Sequence, residues 1–275
     1  MSLHVGGQSS RLAWAGLDRA GRGIDRSLGR LASGLRIRGA ADDAAGLQIA
    51  ERFRAQVRGL AQAATNAQDA VNLIKTTEGA LIETTALMQR MRELVVHAAN
   101  DTLSSDDRLV IKDELDQLSS EVDGIADRME YNTRQLLLGF AMDSPLTFQI
   151  GASADQTMAL TVSDMRAYAL YVASSDLTVS SHEWARETLW SLDNSLLLVN
   201  EERARLGAVV NRLEHTIANL SVQRENMAAS ESRIRDLDMA SEVAQLTRFQ
   251  IVAQSSQAML AQAQQIARGV VGLLV

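Results

Sequence analysis

Between residues 49 and 74 the chain sets Ile49, Phe53, Val57, Leu60, Ala64, Ala67, Val71 and Ile74 at intervals of three and four. That spacing holds apolar side chains on one stripe of an α-helix, and a stripe this narrow needs a partner along its length. Leu81, Met88, Met91, Val95 and Ala98 continue it. The pattern predicts one helix from about Ala45 to Ala98, roughly 80 Å long. Pro145 is the single proline of 275 residues, so the residue that removes a backbone donor interrupts no long helix.

The same period returns elsewhere. After a break at Asn100-Asp-Thr-Leu-Ser-Ser-Asp-Asp107, where Ser104 or Ser105 is placed to cap a new helix, Ile111, Leu115, Leu118, Val122, Ile125 and Met129 form a second seam. A third begins near His182 and runs through Leu192, Leu196, Val199, Leu206, Val210, Leu213, Ile217, Leu220 and Met227. Arg203 and Arg224 fall on that seam and mark places where it would open to water or to another subunit. Shorter stripes sit at the ends: Leu17, Ile24, Leu28, Leu31 and Leu35, then Met239, Val243, Leu246, Ala253 and Leu260.

Residues 141–181 break the helical period. Leu146-Thr-Phe-Gln-Ile150 and Met158-Ala-Leu-Thr-Val162 alternate apolar with polar residues around a turn-rich Gly151-Ala-Ser-Ala-Asp-Gln-Thr157. This predicts one small β-hairpin, followed by coil to about Ser181. The expected fold is therefore mainly α: a long antiparallel helical bundle with a β insert at about 141–181. The expected division is a terminal coiled-coil domain, residues 1–42 with 235–275, and a helical-bundle domain, 43–234. Isolated amphipathic helices are marginal in water. The two terminal segments therefore need something to cover their stripes, and their apolar faces point to assembly.

Composition excludes several function classes. Cysteine is absent, which removes disulfides, thiolate catalysis and cysteine–zinc sites. A net charge of -7 argues against general nucleic-acid binding, although residues 1–60 carry ten arginines against five acids and 61–175 carry eight bases against seventeen acids. The basic arm either meets acidic surface on this chain or a neighbour, or is a set of solvated helix faces. Of the 27 bases only Lys75 and Lys112 are lysines. Met1-Ser-Leu-His-Val-Gly-Gly7 lacks the pattern of a cleaved signal peptide, and no apolar run approaches the ~18 residues of a membrane span.

No catalytic, metal or cofactor site is expected. His4, His97, His182 and His215 are scattered, with no second ligand at helical spacing. Gly16, Gly21, Gly23 and Gly29 follow no strand and precede no Gly-Lys-Ser/Thr, so they fit neither phosphate-binding fingerprint. Asp42-Asp43 and Asp106-Asp107 lie where helix starts favour acids.

Leu31-Ala-Ser-Gly-Leu-Arg-Ile-Arg-Gly-Ala-Ala-Asp-Asp-Ala-Ala-Gly46 closely resembles the amino-terminal signature of bacterial flagellins. Ala63-Ala-Thr-Asn-Ala-Gln-Asp-Ala70, Thr76-Thr-Glu-Gly-Ala-Leu81 and Gln89-Arg-Met-Arg-Glu-Leu-Val95 look like its continuation. Ser230-Glu-Ser-Arg-Ile-Arg-Asp-Leu-Asp-Met-Ala-Ser-Glu-Val243 resembles the carboxy-terminal signature, extended by Gln254 and Ala258-Met-Leu-Ala-Gln-Ala263. The likeness spans residues 27–140 and 190–265. The sequence departs from the pattern in Gly6-Gly7 and Gly21-Arg-Gly23, in Gln264-Gln-Ile-Ala-Arg-Gly269, and in ending on Val275.

The resemblance implies a structural subunit that polymerises with itself into a flagellar filament for motility. Both chain ends would form an inner coiled-coil core, and the variable outer domains would be absent. It also implies unfolded export through the flagellar type III channel without a cleaved signal, and dealings with an export chaperone, a filament cap and hook-junction proteins. The motif residues it singles out for assembly are Ser33, Gly34, Leu35, Arg36, Ile37, Asp42, Asp43, Gly46, Arg233, Ile234, Asp236, Asp238, Glu242, Ala261 and Gln262. Among these, Gly34 interrupts the first helix, Asp42 and Asp43 are placed to cap the long one, and Gly46, with Gly39, allows a bend or close contact. In some flagellins the segment matching Gln89, Arg90, Glu93 and Leu94, with an acid near Glu114, is read by a vertebrate innate receptor. Neighbouring readings share parts of the pattern: a periplasmic core flagellin of the spirochaete type, a hook–filament junction protein, a cytosolic coiled-coil scaffold and a helical-bundle enzyme.

Overall fold

The structure, a computed structural model, describes residues 2–139 and 145–272. The first residues of the expected insert, 141–144, and the end of the chain, 273–275, lie outside the described residues. The described helices are α1 (Ser2–Ser33), α2 (Ala44–Ala98), α3 (Ser105–Arg128), α4 (His182–Arg235) and α5 (Met239–Gly272). The strands are β1 (Glu130–Tyr131), β2 (Arg134–Gln135), β3 (Leu146–Gln149) and β4 (Thr157–Leu160). The longest of these helices, α2, has 55 residues. The chain divides into two compact units, Met1–Val57 with Glu225–Val275, and Arg58–Arg224.

The second unit has one continuous apolar core. Val71, Ile74, Leu81, Met88, Met91 and Val95 of α2 enter it, with Ile111, Leu115 and Val122 of α3 and Leu192, Val199, Leu206 and Leu213 of α4. Buried hydroxyls on α2 are satisfied within the helix: Thr77 donates to the Leu73 carbonyl at 3.0 Å and Thr85 to Leu81 at 2.7 Å. Ser104 caps α3 in a reciprocal arrangement. Its hydroxyl accepts the Asp107 amide at 3.2 Å, and the Asp107 carboxylate accepts the Ser104 amide at 3.1 Å.

Some buried side chains lie one residue off the predicted seams. On α3 the buried line is Arg108, Ile111, Leu115, Ser119, Val122 and Ala126, with Leu118 and Ile125 only partly covered. Small Ser119 and Ala126 lie where the chain after the hairpin crosses the helix: Ser119 donates to the Val172 carbonyl at 2.8 Å. On α4 the position next to Arg203 is the buried one. Glu202 is 5% exposed, its carboxylate accepting the Ser163 hydroxyl at 3.0 Å and the Arg205 guanidinium at 2.6 Å. Arg203 is half-buried and Arg224 is exposed.

The expected hairpin is present, with Leu146 opposite Leu160 and Gln149 opposite Thr157. A second, smaller one, β1–β2, is an addition. Its turn residues Asn132 and Thr133 both have positive φ, 52° and 64°, as a tight two-residue hairpin turn demands. Residues 161–181 form no helix or strand, as expected, but they turn apolar side chains into the core. Val162, Met165, Ala167, Leu170, Val172, Leu177 and Val179 are buried. The segment is tied down by Ala167 donating to Asp123 at 2.7 Å and by the Thr178 amide donating to Thr188 at 3.1 Å. It seals the α3–α4 groove as a helix would.

Candidate assembly surfaces

The first unit is built on α1 packed against α5. Heptad-spaced side chains turn inward: Ala20 and Ser27 on α1, and Glu242, Leu260 and Ala263 on α5, with Leu17, Ile24, Leu246, Phe249 and Ala253 half-buried. Contact is close because small residues line it. A Cβ on Gly23 would fall 2.7 Å from the Phe249 ring, and one on Gly16 would fall 3.0 Å from the Ser256 hydroxyl. Two of the four glycines that fit no phosphate loop, Gly16 and Gly23, are thus packing surfaces of a helix. Leu28, Met239 and Val243, expected on the terminal stripes, are instead exposed. Seam position 27 takes a small serine, and the buried glutamate at 242 faces the half-buried Arg30.

The signature motifs meet at one junction. Gly34 (φ +68°) ends α1, its amide donating to the Arg30 carbonyl at 2.8 Å. Ser33 donates its hydroxyl to the same carbonyl at 3.2 Å. Leu35 then forms an antiparallel bridge with Asp236: the Arg36 amide donates to the Arg235 carbonyl at 2.8 Å, and the Leu237 amide donates to the Gly34 carbonyl at 3.0 Å. The Arg36 guanidinium also donates to the Ile234 carbonyl. Ile37 is 1% exposed and anchors the loop. Arg235 pairs with Glu51 at 2.7 Å, and half-buried Arg30 lies 3.8 Å from buried Glu242.

The acids divide their labour. Asp43 caps α2, its Oδ1 accepting the Gly46 amide at 2.9 Å. Asp238 caps α5, accepting the Ala240 amide at 3.0 Å and the Ser241 amide at 3.2 Å. Asp42 does not cap α2. It accepts the Arg38 amide at 3.1 Å within the loop, and that bond, helped by the charges of Arg30 and Arg38, holds its carboxyl below the usual range. Gly46 is required by space, since a Cβ would fall 2.4 Å from Asp43 Oδ2 and 2.8 Å from Ile37 Cδ1. Gly39 has open space and no positive φ, and nothing in the structure explains it. Arg233 is exposed and donates to the Ser230 hydroxyl at 3.0 Å. Ala261 and Gln262 are exposed on α5, off the seam.

The α1–α5 pair leaves apolar surface uncovered. Val252, Met259 and Ile266 are seven residues apart on α5 and are 43%, 62% and 56% exposed. Ile251 beside them, with Leu12 and Trp14 on α1, is exposed as well. Sequence reasoning found the inward stripe but missed this second one. The signal was available in the heptad spacing of 252, 259 and 266.

In the other unit, Gln89, Arg90 and Glu93 are exposed on α2, while Leu94 is buried beneath them. Arg90 donates to Glu114 at 2.8 Å and to Glu93 at 3.4 Å, and the Glu114 bond raises its already high pKa. Among the described residues no group of three or more His, Cys, Asp or Glu side chains is placed to hold a metal ion, and no helix is long and apolar enough to cross a membrane.

Two family models match: the bacterial flagellin N-terminal helical region over residues 9–141, and the bacterial flagellin C-terminal helical region over 190–274. The chain is 45% identical over 249 residues to a flagellin of Halalkalibacterium halodurans, covering 90% of this chain and 91% of that one. It is 44% identical to a flagellin of Bacillus subtilis, covering 90% and 92%. It is 41% identical to a flagellar filament 33 kDa core protein of Treponema phagedenis, covering 97% of each. With both signature regions matched in order and folded against one another, the chain belongs to the bacterial flagellin family, the structural proteins that build the flagellar filament.

Proposed function

We propose that this chain polymerises through its ends, residues 1–42 and 235–275, and forms the core of an extracellular filament of the two inner layers alone. The observation that carries the reading is the uncovered heptad row Val252, Met259 and Ile266 beside an α1–α5 seam that is already filled. A two-helix pair has no further face of its own to bury that row, and another copy of the same pair does. Full-length chain, seeded or salted, should give filaments of uniform width by electron microscopy. Chain lacking residues 1–42 and 235–275 should stay monomeric, and its ready polymerisation would overturn the reading.

The same subunit leaves the cell unfolded through the flagellar type III channel. Its carboxy-terminal segment is held by an export chaperone beforehand, and the filament meets hook-junction proteins at one end and a cap at the other. The exposed α5 row is what a chaperone would need to cover. Loss of export in a strain without the channel tests the route, and antibody labelling of intact cells separates an external filament from a periplasmic one.

The exposed Gln89, Arg90 and Glu93 face, with Glu114 at 2.8 Å from Arg90, is the surface a vertebrate innate receptor would read on the monomer. A receptor reporter should respond to purified monomer and lose that response with Arg90→Ala.

A further inference from the structure

The chain holds no cysteine, so its oxidisable sulfur lies entirely in its ten methionines. Among the described residues, Met88, Met91, Met158 and Met165 are buried in the core of the bundle unit, and Met129 and Met227 are half-buried. Met239 and Met259 are exposed, at 50% and 62%, and both lie on α5. Oxidation follows exposure, and it turns a flexible apolar side chain into a polar one. At Met259 that change falls where it matters most. The residue is the centre of the row Val252, Met259 and Ile266, and the most exposed of the three. From Phe249 to Ala267 no residue is charged, and the polar ones are glutamine and serine. A surface without charge associates by apolar burial and close packing, so its affinity rests on the few large side chains it presents. The adjacent Leu260 turns the other way, into the α1 seam, at 8% exposed. A change at the 259 side chain therefore leaves the α1–α5 packing in place.

We propose that Met259 is an oxidation site that controls which free chains can assemble. A peroxide transfers one oxygen to the Met259 sulfur: the O–O bond breaks, an S–O bond forms, and sulfur gives up two electrons. The departing hydroxide takes the proton of the transferred oxygen and leaves as water. The product is a sulfoxide in the middle of a row that must become dry when another copy covers it. Burying that dipole without a hydrogen-bond donor opposite costs more than burying a thioether. The oxidised chain thus stays folded and monomeric. The change is reversible, because a sulfoxide reductase supplied with a dithiol returns the thioether, with water and a disulfide as products. The inference rests on the filament reading, since it needs the α5 row covered in the assembly, and adds a chemical condition for joining it. Once in the filament, Met259 is out of reach of peroxide.

The test treats purified full-length Met239→Leu chain with hydrogen peroxide, and peptide mass mapping confirms the sulfoxide at 259. Its helical melting curve should match that of the untreated chain, and its critical concentration for polymerisation should rise at least about tenfold. Sulfoxide reductase with dithiothreitol should restore the untreated value as the 259 sulfoxide disappears from the map. Adding Met259→Leu to that background should abolish the response to peroxide, whatever critical concentration the double variant starts from. Should the double variant not assemble at all, the reductase arm decides. Met259→Gln, which carries an amide dipole in the same place, should raise the critical concentration without any oxidant. In preformed filaments Met259 should oxidise at least about tenfold more slowly than in free chain. Normal polymerisation of chain oxidised at 259, an unchanged peroxide response in the double variant, or equal oxidation rates in filament and free chain overturn the inference. In each of those outcomes the chain has polymerised, and the filament reading stands. A parent chain that never polymerises sinks that reading instead.

Discussion

The backbone carbonyl of Gly34 accepts the amide hydrogen of Leu237 at 3.0 Å. Gly34 closes α1 and Leu237 lies in the short link that opens α5, so one hydrogen bond aligns the two turns from which the terminal helices depart. With the Arg36–Arg235 bond it makes a minimal antiparallel pairing that sets the register of α1 on α5.

Gly34 sits at φ +68°, and a Cβ added there would meet nothing within 4 Å, so any substitution cost is in the backbone alone. Gly34→Ala should destabilise the α1–α5 pair by about 1 kcal/mol, and Gly34→Asn by less, because asparagine tolerates the left-handed region. Urea denaturation of the monomer, followed by a probe in the terminal helices, checks the order. Equal stability of all three would remove this role.

Space is the issue at Gly46. Gly46→Ala must displace Asp43 Oδ2 at 2.4 Å and Ile37 Cδ1 at 2.8 Å, which disturbs both the cap and the loop anchor. Its loss should match or exceed that of Asp43→Ala, which forfeits the cap alone at about 1 kcal/mol. Gly39→Ala, with open surroundings, should be nearly silent. Thermal melts of the three variants give the comparison.

Acid should loosen the start of α3. The Ser104 hydroxyl at 2.7 Å and its amide at 3.1 Å hold the Asp107 carboxyl below the usual range. A carboxyl whose folded pKa is depressed contributes fully above its unfolded value of about 3.9, and that contribution is lost as pH falls through the folded value. Ser104→Ala should move the Asp107 titration midpoint upward in a carboxyl-detected NMR titration. An unmoved midpoint would show that the cap does not set it.

Opposite faces of α4 should respond oppositely in the monomer. Leu206 is fully buried, and Leu206→Ala should cost about 3 kcal/mol through lost burial and a residual cavity. Leu197 is 67% exposed, and Leu197→Ala should leave monomer stability within about 0.5 kcal/mol. Denaturant midpoints of the two variants make the contrast, and a large monomer loss at Leu197 would mean that face is already packed.

Much of this architecture was legible in local sequence. The heptads of α2 and α4, the Ser104 cap, the β3–β4 hairpin and the glycine end of α1 depend on interactions within a few residues, and such interactions leave a periodic or positional trace. The β1–β2 hairpin left almost none, because its strands are two residues long and its turn is Asn132-Thr133 rather than the usual Asn-Gly.

By itself, then, the sequence determined that long helices would form and that their stripes would need partners. Tertiary structure alone decided which stripe faces which neighbour. Periodicity reports that a face is apolar, but not how near the opposing backbone comes. With close approach at Gly16 and Gly23, Ser27 and Glu242 lie inside while Leu28 and Val243 lie outside. It also decided that the aperiodic strap of residues 161–181 buries Val162, Met165, Leu170, Val172 and Leu177, since the strap is tied to α3 and α4, far away in sequence.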